Sequence, residues 1–376
     1  MLKKILLQRF RIRFTKDSFA ALHNVLLRLV SFQTMVSVAE IMSKGEEPTV
    51  RPTLRTLAQI TGLGISTVSQ ALRDSPEIAD ETKRRVKLAA QQAGYRPDRA
   101  GVRLRTGKTN VITLILNTEG PSMGLVEQMV FGISEILAGT PYHLVVTPYD
   151  LDDPMAPVRY VVENRLADGV IISRTQPDDQ RVRFLLDNAI PFVTHGRTDC
   201  GLEHPYHDYD NEVFAKLAVD RLAAAGRTRI AHLKPPPGLS YHDHSSTGFA
   251  HGITANGLTE YPTPNLNVDT QLGEVRNFTK KFKDLATSPD GYVSLSELTT
   301  MALVSGLEEI GQTLGKDFDV VTKQYSPFIA WFRPALMMIN EDHRLAGQEL
   351  AKAVLGAIEG RDIKSLQTLV APISTI

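Results

Sequence analysis

The sequence predicts an all-α helix-turn-helix headpiece followed by an α/β bilobed body built on two doubly wound parallel sheets. Three observations carry this. Apolar residues recur at helical spacing, broken by glycines, between Thr53 and Pro97; short β-branched runs alternate with helical stretches from Val111 onward; and charge is divided unevenly between these two regions.

Length and composition fit that division. At 376 residues, with 42% hydrophobic and 22% charged residues, the chain suits a small domain plus a larger bilobed one. The single cysteine, Cys200, excludes an internal disulfide and a cysteine-based zinc cluster, and fits a reducing cytoplasm. The formal net charge of zero hides an asymmetry: residues 51–109 hold twelve Lys or Arg against five Asp or Glu, whereas residues 110–376 hold 22 against 33. A basic segment joined to an acidic body suits a phosphate-contacting head on a sensor.

Residues 1–50 read as an extension of uncertain status. Its apolar runs are interrupted by Arg9, Arg11, Arg13, Lys16, Asp17, His23 and Arg28, too often for the ~20 apolar residues of a membrane span, and no cleavage site follows a clean apolar core. Translation starting at Met42 is the expectation, and neither a membrane anchor nor a secretory signal is foreseen.

The head occupies residues 51–97. Thr53 caps a first helix whose positions Leu54, Leu57, Ala58 and Ile60 share one face, and Gly62 ends it. A second helix from about Ile65 to Leu72 buries Val68, Ala71 and Leu72 against the first, which makes a helix-turn-helix. Asp74, Ser75 and Pro76 stop it, and a third helix from Asp80 to Gly94 turns Val86, Leu88, Ala89 and Ala90 inward. In such a motif the second helix enters the major groove, so Ile65, Ser66 and Gln70 stand where base edges are met.

Residues 98–109, Arg-rich and short of core side chains, read as a linker that carries Arg99, Arg103 and Arg105. Gly101 weakens any helix there by about 1 kcal/mol. The body spans 110–376. Its runs VITLIL, HLVVT, GVIIS, PFVT, RIAHL, GYVSL and DVVT read as strands buried on both faces, with helices such as Leu125 to Leu137 and Glu212 to Ala225 over them. Ligands of open α/β sheets sit at the carboxyl ends of strands, here in a cleft between lobes.

The pattern T-L-x-x-L-A-x-x-x-G-x-x-x-S-T-V-S-x-A-L-x-x-S-P-x-I, continued by R-V-x-x-A-A-x-x-x-G-Y-x-P, resembles the headpiece of the lactose-repressor (LacI/GalR) family. The stretches IPFVTHGRT, HPYHDYDNEVFAKLAVDRLAAAGRTRIAHL and FRPALMMINEDHRLAGQELAKAVLGAIEG resemble its periplasmic-binding-protein-like body. The resemblance implies that Thr67, Ser69 and Thr53, with Leu54 beside it, lie against phosphates. It implies too that residues 98–109 are a hinge ordered on DNA, with Arg99, Arg103 and Arg105 facing phosphates and Leu104 wedged into the minor groove from a hinge helix. It also implies an effector-contacting arginine at Arg197 and an acidic effector contact at Glu297, with His195 and His244 contributing to a polar pocket. Asp210, ahead of a helix, reads equally as an effector contact and as an N-cap. The chain departs from the family at Gly64, Gln70, Ser245, Ser296, Gln324 and Tyr325, where operator and effector would be read.

No Walker loop, HExxH or strand-borne GxGxxG gives a catalytic lead, and His242 with His244 lacks a third ligand at helical spacing, so neither enzyme activity nor a cofactor or metal is expected. The expectation is a cytoplasmic, homodimeric transcriptional regulator, a repressor of carbohydrate-uptake or catabolic genes, that binds operator DNA and a small sugar-like effector. The alternatives are a nucleobase-responsive regulator of the same fold and a solute-binding protein of transport.

Overall fold

A computed structural model describes residues 52–95, 103, 107–117, 123–149, 153–264 and 266–372. The expectations placed on residues 1–51, on Arg99, Gly101, Leu104 and Arg105, and on Pro97 lie outside them. The chain divides into two compact units that meet between residues 101 and 102.

The first unit holds three helices, α1 (Leu54–Thr61), α2 (Ile65–Leu72) and α3 (Asp80–Gln92). Thr53 and Thr56 cap α1 reciprocally: the Thr56 amide donates to Thr53 Oγ1 at 3.2 Å and the Thr53 amide to Thr56 Oγ1 at 3.1 Å. Gly62 ends α1 at φ +70°, a conformation that costs glycine nothing. Leu57, Val68, Ala71, Val86, Ala89 and Ala90 form the core. Two residues expected inside are not: Ile60 is 57% and Leu88 55% exposed. Each lies on its helix beyond the narrow arc that three short helices can cover.

The second unit contains two sheets whose paired strands all run parallel. In the first lobe β1 (Val111–Asn117), β2 (His143–Tyr149), β3 (Gly169–Ile172), β4 (Phe192–His195), β5 (Tyr206–Tyr209) and the late strand β11 (Gln367–Val370) are ordered β11-β5-β4-β3-β1-β2. In the second, β6 (Arg229–Leu233), β7 (Thr259–Tyr261), β8 (Gly291–Ser294), β9 (Asp319–Gln324) and β10 (Met337–Asn340) are ordered β10-β9-β8-β6-β7. In both, the order reverses beside the first strand, which opens a crevice at the carboxyl ends there.

Helices α4 (Met123–Leu137), α5 (Ala156–Glu163) and α6 (Gln180–Asp187) belong to the first lobe; α7 (Asn211–Ala224), α8 (Ser240–Asn256), α9 (Leu272–Phe278), α10 (Glu297–Glu309) and the single turn α11 (Ile329–Phe332) belong to the second. The chain crosses over after β5 and returns after β10 through α12 (His343–Ile358), which packs on the first lobe's core through Leu350, Ala351, Ala353 and Val354. Paired glycines let α4 and α12 touch backbone to backbone. A β-carbon on Gly132 would overlap the carbonyl oxygen of Arg344, and one on Gly347 that of Met129. On α11 the outer face is bare: Trp331 is 86% exposed, beside an exposed Phe328.

Where the hinge enters the body, Asp168 accepts from the amides of Thr109 and Asn110 at 2.8 and 2.9 Å. Arg103, expected to face phosphates, instead donates from Nη2 to the carbonyls of Asn164 and Arg165 at 3.1 and 2.8 Å. Carbonyls just past the end of α5 lack helical partners and carry the negative end of its dipole, so a guanidinium is held there.

Candidate functional site

On the head, the start of α2 presents Ile65 and Ser66 outward; Thr67, Ser69 and Gln70 follow at partial exposure. The N-cap of α2 is Gly64, which has no side chain to cap with, so it leaves the first amides of that helix without a side-chain cap. Arg73, at the helix end, donates to the Ser69 carbonyl at 3.0 Å and to Ser69 Oγ at 3.1 Å, fixing that hydroxyl. Thr53 is exposed and Leu54 partly buried.

In the body a cavity of about 150 Å³ opens at the carboxyl ends of the strands. From the first lobe come Asn117 at the end of β1, Arg174 and Thr175 after β3, His195 at the end of β4 with Arg197 after it, and Asp208 on β5. From the second come Tyr241 and His244 on α8, Asp269, Ser296, Lys323 and Tyr325, with Glu341 and His343 from the crossover into α12. The lobes are tied across it. Arg174 grips Asp269 with both terminal nitrogens, at 2.6 and 3.3 Å, and the Ser240 amide donates to the Thr175 carbonyl at 2.8 Å. Arg174 adopts φ +55°, left-handed backbone that a side chain enters only at some cost, of order 1–3 kcal/mol.

Among the described residues, each Lys or Arg on the wall stands beside one acid. Arg174 has Asp269; Lys323 contacts Glu341 and donates to Asn211 Oδ1 at 2.7 Å; Arg197 Nε stands 3.5 Å from Asp208 Oδ2. Burial pushes Glu341 upward, but the Lys323 ammonium outweighs it and holds the carboxyl at about 2. Asp208 is also buried, and burial wins over Arg197, raising it to about 6. Burial lowers His195 to about 3, helped by His343 and His207, and also lowers His207, His244 and His343.

Of the five effector contacts expected from sequence, His195, Arg197 and His244 line the cavity, and two do not. Asp210 caps α7, accepting from the Val213 amide at 3.1 Å, so the capping alternative holds. Glu297 is buried and accepts from the amides of Tyr325 and Ser326 at 2.8 and 2.7 Å and from Ser326 Oγ at 2.6 Å. Its carboxylate staples the loop after β9, leaving the wall to Ser296 and Tyr325. Ser245 is buried and its hydroxyl donates to the His242 carbonyl at 3.2 Å within α8, while its neighbour His244 reaches the cavity. His242 is engaged by Asp243 at 2.9 Å.

Sequence reasoning missed Arg174, Asp269, Lys323, Glu341 and His343. A signal existed for three of them: each is a polar residue at or just after the end of an apolar run, in IISR, VVTK and MMINE, at the strand ends where ligands bind. The run GPSMG at 120–124 has the GxSxG spacing of a hydrolase elbow and its last two residues open α4, but Ser122 lies outside the described residues.

A major-groove-reading head joined to a hinged α/β ligand cleft defines a DNA-binding regulator with an effector-sensing body. Residues 53–98 match the family model for bacterial regulatory proteins, lacI family, and residues 219–376 match that for a periplasmic binding protein-like domain. The head is thus a lacI-family DNA-binding domain, and over most of its length the chain is similar to HTH-type transcriptional regulators. It is 28% identical over 326 residues to the HTH-type transcriptional regulator AglR of Rhizobium meliloti, covering 81% of this chain and 87% of AglR. It is also 28% identical over 327 residues to RafR of Escherichia coli, covering 85% and 96%. Among solved structures it resembles the lac repressor dimer bound to operator and the anti-inducer ONPF, with TM-score 0.73 and 19% identity over 86% of this chain and 97% of that one. The complex of the regulator CelR with cellobiose has TM-score 0.61 and 23% identity over 87% and 99%. Among the described residues no helix is long and apolar enough to cross a membrane.

Proposed function

We propose that this regulator is a cytoplasmic, homodimeric repressor of carbohydrate-uptake or catabolic genes whose effector is an uncharged, polyhydroxylated molecule held in the interlobe cavity. The observation that carries the ligand class is the one-to-one matching of base and acid on the wall. A phosphorylated or carboxylated ligand needs a cation to spare, whereas paired guanidinium and carboxylate groups offer donors and acceptors side by side, as vicinal hydroxyls require. The cellobiose of one similar structure supports the same class. The domain reading stays as residues 51–97 for the head, 98–109 for the hinge and 110–376 for the body, with no catalytic role. In the head, Ile65, Ser66 and Gln70 read bases, Thr53, Thr67 and Ser69 fix register on phosphates, and Leu54 packs beside Thr53. Arg99, Arg103 and Leu104 engage DNA from the hinge, Arg103 after leaving the carbonyls that hold it here.

Effector binding changes operator affinity by a coupling free energy of about 1–3 kcal/mol, the usual range. The test is a gel-shift titration on fragments from the gene's own neighbourhood, with neutral mono- and disaccharides, a sugar phosphate, a uronic acid and a purine base as separate additions. A shift in midpoint with a neutral sugar only is expected; a response to the charged sugars or the purine alone would replace the ligand class, and failure to bind any fragment at low salt would defeat the regulator reading. Arg197→Ala should abolish the effector response while operator binding persists.

A further inference from the structure

The crossover from β10 into α12 brings Glu341 and His343 against His195 at the end of β4, and one ligand atom of each lies within 4.8 Å of the other two. Glu341 is shared in a particular way. Its Oε2 faces the Lys323 ammonium, while Oε1 points at His343 Nε2, 3.8 Å away. His343 is buried, and neither of its ring nitrogens has a hydrogen-bond partner among the described residues. A polar group in that condition costs roughly 1–3 kcal/mol unless something occupies its lone pair.

We propose that His195, Glu341 and His343 form a binding site for a zinc-like divalent transition-metal cation on the wall of the cavity. Two imidazoles and one carboxylate are the donor set of open sites, in which a fourth position is left for water or ligand. Ligand atoms about 2.0–2.1 Å from a tetrahedral metal stand about 3.3 Å apart, so the 3.8 Å pair must close by only half an ångström. All three residues line the cavity, which supplies the fourth position. Tyr325 packs edge-on to His343 with ring centres 5.4 Å apart, and Lys323 orients the carboxylate from behind, as outer-shell groups do. The ammonium also repels the cation, so binding is expected to be moderate rather than tight. The site does not depend on the chemical class of the effector.

The probe is cobalt(II), added to full-length protein stripped of metal and followed by visible absorption, with zinc(II) as competitor. Expected is one cobalt per chain with the strong ligand-field bands of a low-coordinate site, displaced by zinc, and weakened at least tenfold by His343→Gln and by the less buried His195→Gln. His251→Gln, on the exposed face of α8, is the control and should bind as wild type. Circular dichroism of each variant establishes that it is folded. Absence of saturable binding up to millimolar cobalt would overturn the proposal, and so would binding that survives both substitutions. Neither result bears on the gel-shift response to sugars, so the two readings fail separately.

Discussion

Asp208 is a carboxylate on the cavity wall whose charge burial disfavours. Its Oδ2 is buried, has no hydrogen-bond partner among the described residues, and stands 3.5 Å from the Arg197 guanidinium. Its folded pKa of about 6 lies above the ordinary 3.8, so the folded chain holds this proton more tightly than the unfolded one. The contribution to stability is therefore full below about pH 3.8 and is lost as pH rises through about 6. Asp208→Asn, which keeps the shape and removes the charge, should stabilise the body by about 1–3 kcal/mol at pH 7.5. The gain should shrink to nothing near pH 4, as read by urea denaturation at the two pH values. An equal effect at both would show that the carboxylate's charge is not the cause.

The α4–α12 contact sets the position of the crossover and with it Glu341 and His343, because α12 begins at His343. Gly347→Ala places a methyl where the Met129 carbonyl stands. Neither backbone can yield locally, so the helices must separate, and a loss of about 1–3 kcal/mol or more is expected in thermal or urea unfolding of the body. Legibility in the sequence follows the same division between apolar and polar pattern. The runs VITLIL, GVIIS and RIAHL announce β1, β3 and β6 because both faces of those strands are buried. The strand β5, by contrast, reads YHDY; its Asp208 lines the cleft, its His207 is buried, and no apolar run marks it. β11 pairs with β5 from more than 150 residues away, a contact no local pattern encodes. The head was legible almost throughout, since its helices are bounded by Thr53 and Gly62, yet Ile60 and Leu88 fit the helical period and still face solvent. Glu297 was misjudged because an acidic residue at a strand end serves equally as a ligand contact and as an acceptor for the amides of the next loop.

At the scale of the whole molecule, the two lobes of the body are joined by crossovers and by the Arg174–Asp269 pair. That tie, a bidentate contact with both side chains largely buried, is worth about 1–3 kcal/mol. Arg174→Ala should open the cleft, seen as a larger radius of gyration in solution scattering without effector. The difference from wild type should narrow at saturating effector, whose own contacts bridge the lobes. If the scattering curves coincide in the unliganded state, the pair is not what holds the lobes together.

Trp331 is the chain's single tryptophan, and it stands on the bare face of α11, five residues beyond the Ser326 that Glu297 grips. Its placement makes the protein its own fluorophore with one reporting position. The emission of a chain whose α11 is uncovered belongs at the long-wavelength end of the indole range. A blue shift on raising the protein concentration would announce that this face has been covered. Such a shift can be followed at dilutions where scattering is blind.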